Sequence, residues 1–210
     1  MIQVLQLPLH LELLASSRVA GWSSPTHRLW FAELAVLVGA GATAAVAVAC
    51  LDFSLRIPGH AILRAVFPMA LGLSLAPRRL GGVVMGASAC TTVMLLKAAG
   101  GWGIGLGALT SLCALGPVLD VALWWCRSGW PVYLSFALAG WGANLIAFAV
   151  RGAGKMSGLD GLRMRPLSDW LSVAPWSYSL CGLVAGLLSA AVWFRLRSDR
   201  DAGRAEEPPS

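Results

Sequence analysis

Six long apolar stretches occupy most of this chain and fix the solvent it folds in. They run approximately Leu29–Leu51, Ala61–Ala76, Leu80–Leu96, Ile104–Trp125, Pro131–Val150 and Ala174–Phe194. Most approach or exceed the ~20 residues a helix needs to cross a bilayer. The expected fold class is all-α, a polytopic membrane bundle of six transmembrane helices. Composition agrees, with 57% hydrophobic and 12% charged residues, where a soluble domain carries ~25% charged. Mean hydropathy is +0.71.

Three segments follow. Residues 1–28 form an amino-terminal interfacial or flexible lead. Its opening lacks a basic run, and His10 and Glu12 interrupt the apolar residues, so it does not read as a signal peptide. Residues 29–194 form the transmembrane domain. Residues 195–210 are charged, end in Glu-Glu-Pro-Pro-Ser and read as a disordered cytoplasmic tail. The connections between spans are short except Arg151–Val173, and a loop of that length is usually functional or disordered.

The net charge of +6 does not point to nucleic acid. The basic residues gather in loops and tails, where they meet lipid headgroups and set topology. With six spans, both termini share a side with the Pro77-Arg78-Arg79 turn and the Arg127–Trp130 connection. That short basic turn and the Arg-rich tail argue for a plasma (inner) membrane protein with both termini cytoplasmic. Tryptophans near the span ends read as an interfacial belt. Cys50, Cys90, Cys113, Cys126 and Cys181 show no CxxC or Cys–His spacing and read as small apolar packing residues.

Small residues recur every four positions in three spans. Ala35, Gly39, Thr43 and Ala47 form a stripe on the first, Gly82, Gly86 and Cys90 on the third, and Gly182, Gly186 and Ala190 on the sixth. Helices in lipid associate through close backbone approach, which small residues permit. Each stripe is either an internal contact or a surface for another membrane subunit. The first-helix stripe is the best candidate for the second role.

Intramembrane polar residues are costly and tend to face the bundle interior. Asp120 and Asn144 stand out. Asp120 reads either as a structural hydrogen bond or ion pair, with Arg78 or Arg79 as partner, or as a functional group. Pro117 just before it removes a helix hydrogen bond. On the first outer connection Asp52, Arg56, Pro58, Gly59, His60 and Arg64 follow one another. His60 and Arg64 are four apart and share a helical face, a pair suited to a carboxylate or phosphate. Otherwise Arg64 snorkels and Asp52 pairs with Arg56. The Gly-rich run Gly100–Gly107 around Trp102 is not a phosphate-binding loop, since no Gly-Lys-Ser/Thr follows; it permits close approach of a neighbouring helix or a ligand. No HExxH or GxSxG occurs, and His60 has no His or Cys nearby, so neither an enzyme, a metal site nor a cofactor is expected.

The segments Ala35-Val36-Leu37-Val38-Gly39, Arg56-Ile57-Pro58-Gly59-His60 and Leu75-Ala76-Pro77-Arg78-Arg79-Leu80-Gly81, with the Gly-rich start of the fourth helix, give a layout that resembles the S-component of energy-coupling factor (ECF) transporters. These are the substrate-binding membrane subunits of vitamin importers. The resemblance covers roughly Leu29–Phe194 and lies in layout more than in signature. It implies that Ala35, Gly39, Thr43 and Ala47 contact a transmembrane coupling subunit driven by two ATPases. It also implies a solute held between the first outer connection and the outer halves of helices four to six. The expected function is capture of a small, water-soluble, vitamin-like nutrient. Arg56, His60 and Arg64 would recognise charge, and Trp102, Asn144 and Trp176 would line the site. Two rivals stay open: a non-catalytic assembly subunit of a membrane complex, and a membrane enzyme using Asp120.

Overall fold

A computed structural model of the protein describes residues 27–51, 59–76, 78, 80–100, 104–125, 130–157 and 167–194. Those residues form six helices and no strand: α1 (His27–Cys50), α2 (Ala61–Leu75), α3 (Gly81–Ala98), α4 (Leu106–Trp125), α5 (Pro131–Met156) and α6 (Leu167–Trp193). Five of them are long and apolar enough to cross a membrane. Large side chains such as Phe31, Met94, Leu95, Val121 and Leu188 point outward. In water such a surface would drive association; in lipid it is the solvated face. The chain is a multi-pass membrane protein.

Neighbouring helices close into a ring, α1–α3–α4–α5–α6–α2, and α2 touches every other helix. At 15 residues α2 rises only ~22 Å, less than the hydrocarbon core. It is sheltered by its neighbours rather than by length. Ile62, Ala65, Val66, Met69, Ala70 and Leu73 are wholly buried, and Phe67 is its one exposed side chain.

Close backbone approach builds the ring. A methyl added to Gly82 would lie 2.2 Å from the Gly116 carbonyl oxygen, and one on Gly116 would lie 2.2 Å from that of Gly82. Gly140 and Gly182 oppose each other in the same way across α5 and α6, and Gly186 meets the Phe136 carbonyl. Gly41 does this on α1 against Met85 of α3, where Ser88 also donates to the Val38 carbonyl at 2.7 Å. At such distances Cα–H groups face carbonyl oxygens, a weak attraction repeated along each seam. The stripes on the third and sixth spans are therefore internal contacts.

The first-span stripe differs. Ala35, Gly39 and Thr43 are exposed, and a methyl on Gly39 would meet nothing within 4 Å. The Thr43 hydroxyl is satisfied within its own helix, donating to the Gly39 carbonyl at 2.8 Å. Ala47 is half-buried.

Two expectations are corrected. The long connection expected over Arg151–Val173 is mostly helix, since α5 continues to Met156 and α6 begins at Leu167. Polar residues there suggested a loop, but Arg151 and Lys155 continue the helical register of Asn144 and Phe148. The cysteines are also not all plain packing residues. Cys90 of α3 and Cys113 of α4 form a disulfide with Cα atoms 6.0 Å apart, while Cys50 and Cys181 are free. No spacing motif marks that pair; the α3–α4 seam brings it together.

Candidate functional site

The two ends of the ring differ in character. At the Arg78 end most of the polar groups pair with one another, the buried Trp193 indole N–H being without an acceptor among the described residues. Arg78 pairs with Glu33 of α1, an acid that sequence reasoning passed over. Asp120 of α4 caps α3: its carboxylate accepts from the Gly82 amide at 3.0 Å and the Val83 amide at 2.7 Å. Helix α3 needs an acceptor from elsewhere, because Leu80 precedes it in the left-handed conformation and offers no side-chain cap. A carboxylate at a helix amino terminus also meets the positive end of the dipole. Of the readings open for Asp120, the structure displays the structural hydrogen bond. Arg79 lies outside the described residues. Tyr133 at the start of α5 donates to the Phe194 carbonyl, tying the two ends of the α5–α6 pair.

At the His60 end, α2, α5 and α6 meet through Asn144. Its side chain is buried, and Nδ2 donates to the Gly59 carbonyl at 3.2 Å and the Tyr178 carbonyl at 2.7 Å. Both partners only accept, so the amide nitrogen must face them. Asn144 thus acts as a clamp with both donors spent on main chain. Gly59 is required opposite it. Its φ is +85°, and a methyl there would lie 3.0 Å from Asn144 Nδ2 and from the Cα and ring of Tyr178.

Immediately beyond Gly59, Arg64 Nη2 lies 3.4 Å from His60 Nε2. A guanidinium only donates, so Nε2 accepts and the ring proton sits on Nδ1. The shared helical face expected for this pair is present, and the Arg64 head turns back toward the His60 end.

The α5–α6 seam adds residues that the sequence reading placed in a loop. Phe148 carries the Trp170 ring stacked at 5.1 Å and the Tyr178 ring tilted at 5.7 Å. Arg151 Nη1 donates to the Tyr178 hydroxyl at 3.4 Å. Lys155 Nζ lies 5.7 Å from the Trp170 ring centre, within cation–π range. Trp170 is 5% exposed, and its buried indole N–H has no acceptor among the described residues. On α4, Gly107 packs here, where a methyl would lie 3.3 Å from Arg151 Cδ and 3.4 Å from the Tyr178 hydroxyl. The Gly-rich start of that helix serves close helix approach at this position.

Of the expected site residues, His60, Arg64 and Asn144 come to one end of the bundle. Trp176 does not join them. It is 73% exposed on the outer face of α6, because residues 176 and 178 lie on opposite sides of a helix, and Tyr178 takes the inward position. Arg56 and Trp102 lie outside the described residues. Among the described residues, the cationic side chains at this end are Arg64, Lys97, Arg151 and Lys155, and the one acid is Asp169. The signal that would have found Arg151, Lys155, Trp170 and Tyr178 was present as helical spacing, Asn144-Phe148-Arg151-Lys155 and Trp170-Ala174-Tyr178. The polar composition around it outweighed that spacing. Among the described residues, no group of His, Cys, Asp and Glu is arranged to hold a metal ion.

No protein-family model matches the chain, and neither the curated proteins nor the solved structures contain a match to it.

Proposed function

We propose that the chain is the substrate-binding membrane subunit of an ECF-type importer, without enzymatic activity of its own. It would capture a small, water-soluble, vitamin-like nutrient at the His60 end, facing outside. It would dock on a coupling subunit served by ATPases, with both termini in the cytoplasm of a cell bounded by its plasma membrane. The observation that carries this reading is that His60, Arg64, Arg151 and Lys155 lie at one end of the bundle, with Arg64 beside His60, Arg151 on the Tyr178 hydroxyl and Lys155 over the Trp170 ring. Cationic and aromatic side chains grouped at one mouth of a membrane bundle are suited to attract an anionic or zwitterionic solute.

The outward stripe of Ala35, Gly39 and Thr43 supports a membrane partner, since the other small stripes are used within the ring. That same stripe serves the rival reading, a non-catalytic assembly subunit. The cationic end favours the importer.

The test is purification of the tagged protein from its own cells in mild detergent, with mass spectrometry of what accompanies it. Recovery of a second integral membrane protein together with ATPase subunits supports the importer. Recovery of a stable complex lacking ATPases supports the assembly role. Arg64→Ala should weaken solute binding by more than about tenfold, as expected for loss of a charge-assisted hydrogen bond.

A further inference from the structure

We propose that the Cys90–Cys113 bridge is a redox-sensitive clasp on the α3–α4 hairpin. Closed, it holds the His60-end half of α4 to α3. Open, it frees that half while the Arg78-end half stays docked. Its depth in the bilayer reserves opening for a neutral, lipid-soluble dithiol and shields it from glutathione. The inference stands apart from the importer reading.

Depth follows from position along the helices. Cys90 lies near the middle of α3 and Cys113 toward the middle of α4. At 1.5 Å per residue each is roughly 10 Å or more from either end of its helix. Their Cα atoms are 6.0 Å apart, and both residues are half-buried. Ala87, Thr91 and Met94 beside Cys90, and Pro117 beside Cys113, are exposed, so lipid reaches the edge of the bridge. Charged, hydrated glutathione would have to shed its water to reach this depth. A dithiol that enters neutral loses a proton on attack, forms a mixed disulfide with one cysteine and then closes on itself. Two electrons and two protons pass to the protein. Cys90 and Cys113 are left as thiols, and the reagent departs as a cyclic disulfide.

The two halves of the hairpin are fastened differently. Toward the Arg78 end, Gly82 and Gly116 are in backbone contact, and the Asp120 carboxylate takes the Gly82 and Val83 amides. Toward the His60 end, a methyl on Gly100 or Gly105 would meet nothing within 4 Å, and Gly107 packs on Arg151 and Tyr178. The bridge ties the two arms directly, at a sequence separation of 23. Pro117 marks the division. It has no N–H for the Cys113 carbonyl, so α4 lacks a helix hydrogen bond where the bridge gives way to the glycine seam. The half of α4 that the bridge controls carries Gly107, close to Arg151 Cδ and the Tyr178 hydroxyl. Its loosening is therefore felt at the His60 end.

The test uses the full chain in phosphatidylcholine nanodiscs. Protein denatured without reductant and then alkylated should carry no label on Cys90 or Cys113 by mass spectrometry until it is reduced. Label on both overturns the inference. In intact nanodiscs, dithiothreitol should open the bridge at least about tenfold faster than equimolar glutathione, after each rate is divided by that reagent's rate on the denatured chain. Equal corrected rates overturn the inference. Hydrogen exchange then reads the two halves of α4. In Cys90→Ala, amides from Leu109 to Leu112 should exchange roughly tenfold faster than in the bridged wild type, and those from Val118 to Ala122 within about twofold of it. A uniform rise over both halves, or no rise, overturns the inference. Should Cys90→Ala fail to fold, the dithiothreitol-reduced wild type supplies the same comparison.

Discussion

Replacing Asp120 separates a structural role from a chemical one. Its two carboxylate oxygens take the Gly82 and Val83 amides at 3.0 and 2.7 Å. Hydrogen bonds to a charged group each contribute ~1.5–3 kcal/mol, and the charge adds ~0.3–1 kcal/mol at a helix amino terminus. Asp120→Ala loses both bonds. It leaves the buried Gly82 amide without an acceptor, in a turn whose own Leu80 cannot reach back. Partial relaxation of that turn offsets some of the gross loss, and a net cost of about 3–4 kcal/mol is expected. At ~2–4 °C per kcal/mol for a chain of this length, melting falls by roughly 6–16 °C. Asp120→Asn keeps one acceptor and should cost about 1–2 kcal/mol. The assay is thermal unfolding of both variants in one detergent, beside solute binding measured below the melting temperature. Binding should be retained in Asp120→Asn. An Asp120→Ala protein that melts within a degree of the wild type would refute the capping argument. Unchanged melting with abolished binding or turnover would restore the chemical role.

Further outcomes follow from the packing. Gly59→Ala combines a positive φ with contacts at 3.0 Å to Asn144 and Tyr178, so it should cost ~1–3 kcal/mol and lower the melting temperature. Asn144→Ala, which removes two side-chain donors from main-chain carbonyls, of which Gly59 still accepts from the Ile62 amide, should cost ~1–3 kcal/mol in the same assay. Gly186→Ala should destabilise far more than Gly142→Ala, since the added methyl meets the Phe136 carbonyl at 2.0 Å in one case and a Val118 methyl at 3.5 Å in the other. Gly39→Leu should leave the melting of the isolated chain unchanged, because nothing lies within 4 Å, yet abolish co-purification of the proposed membrane partner. Arg78→Gln should cost no more than ~1 kcal/mol, since both partners of its ion pair are partly exposed, 26% and 34%.

The sequence alone determined that this chain is a helical membrane protein, because lipid admits few ways to satisfy a backbone and long apolar runs declare one of them. Periodicity also placed His60 and Arg64 on one face, and the cost of a polar group in lipid marked Asn144 as interior. It could not say which stripe of small residues faces inward. Ala35-Gly39-Thr43, Gly82-Gly86 and Gly182-Gly186 look alike as strings, and only the ring order of the helices buries two of them and leaves the first outside. Composition misled at the ends of α5 and α6, where a few charged and polar residues looked like a loop. A helix that has left the hydrocarbon no longer needs apolar residues, and the aromatic packing of Trp170 and Tyr178 on Phe148 holds it in register. The Asp120 cap and the Cys90–Cys113 bridge join segments far apart in the chain. Such contacts depend on which helix lies beside which, and the local spacing of residues carries no record of that.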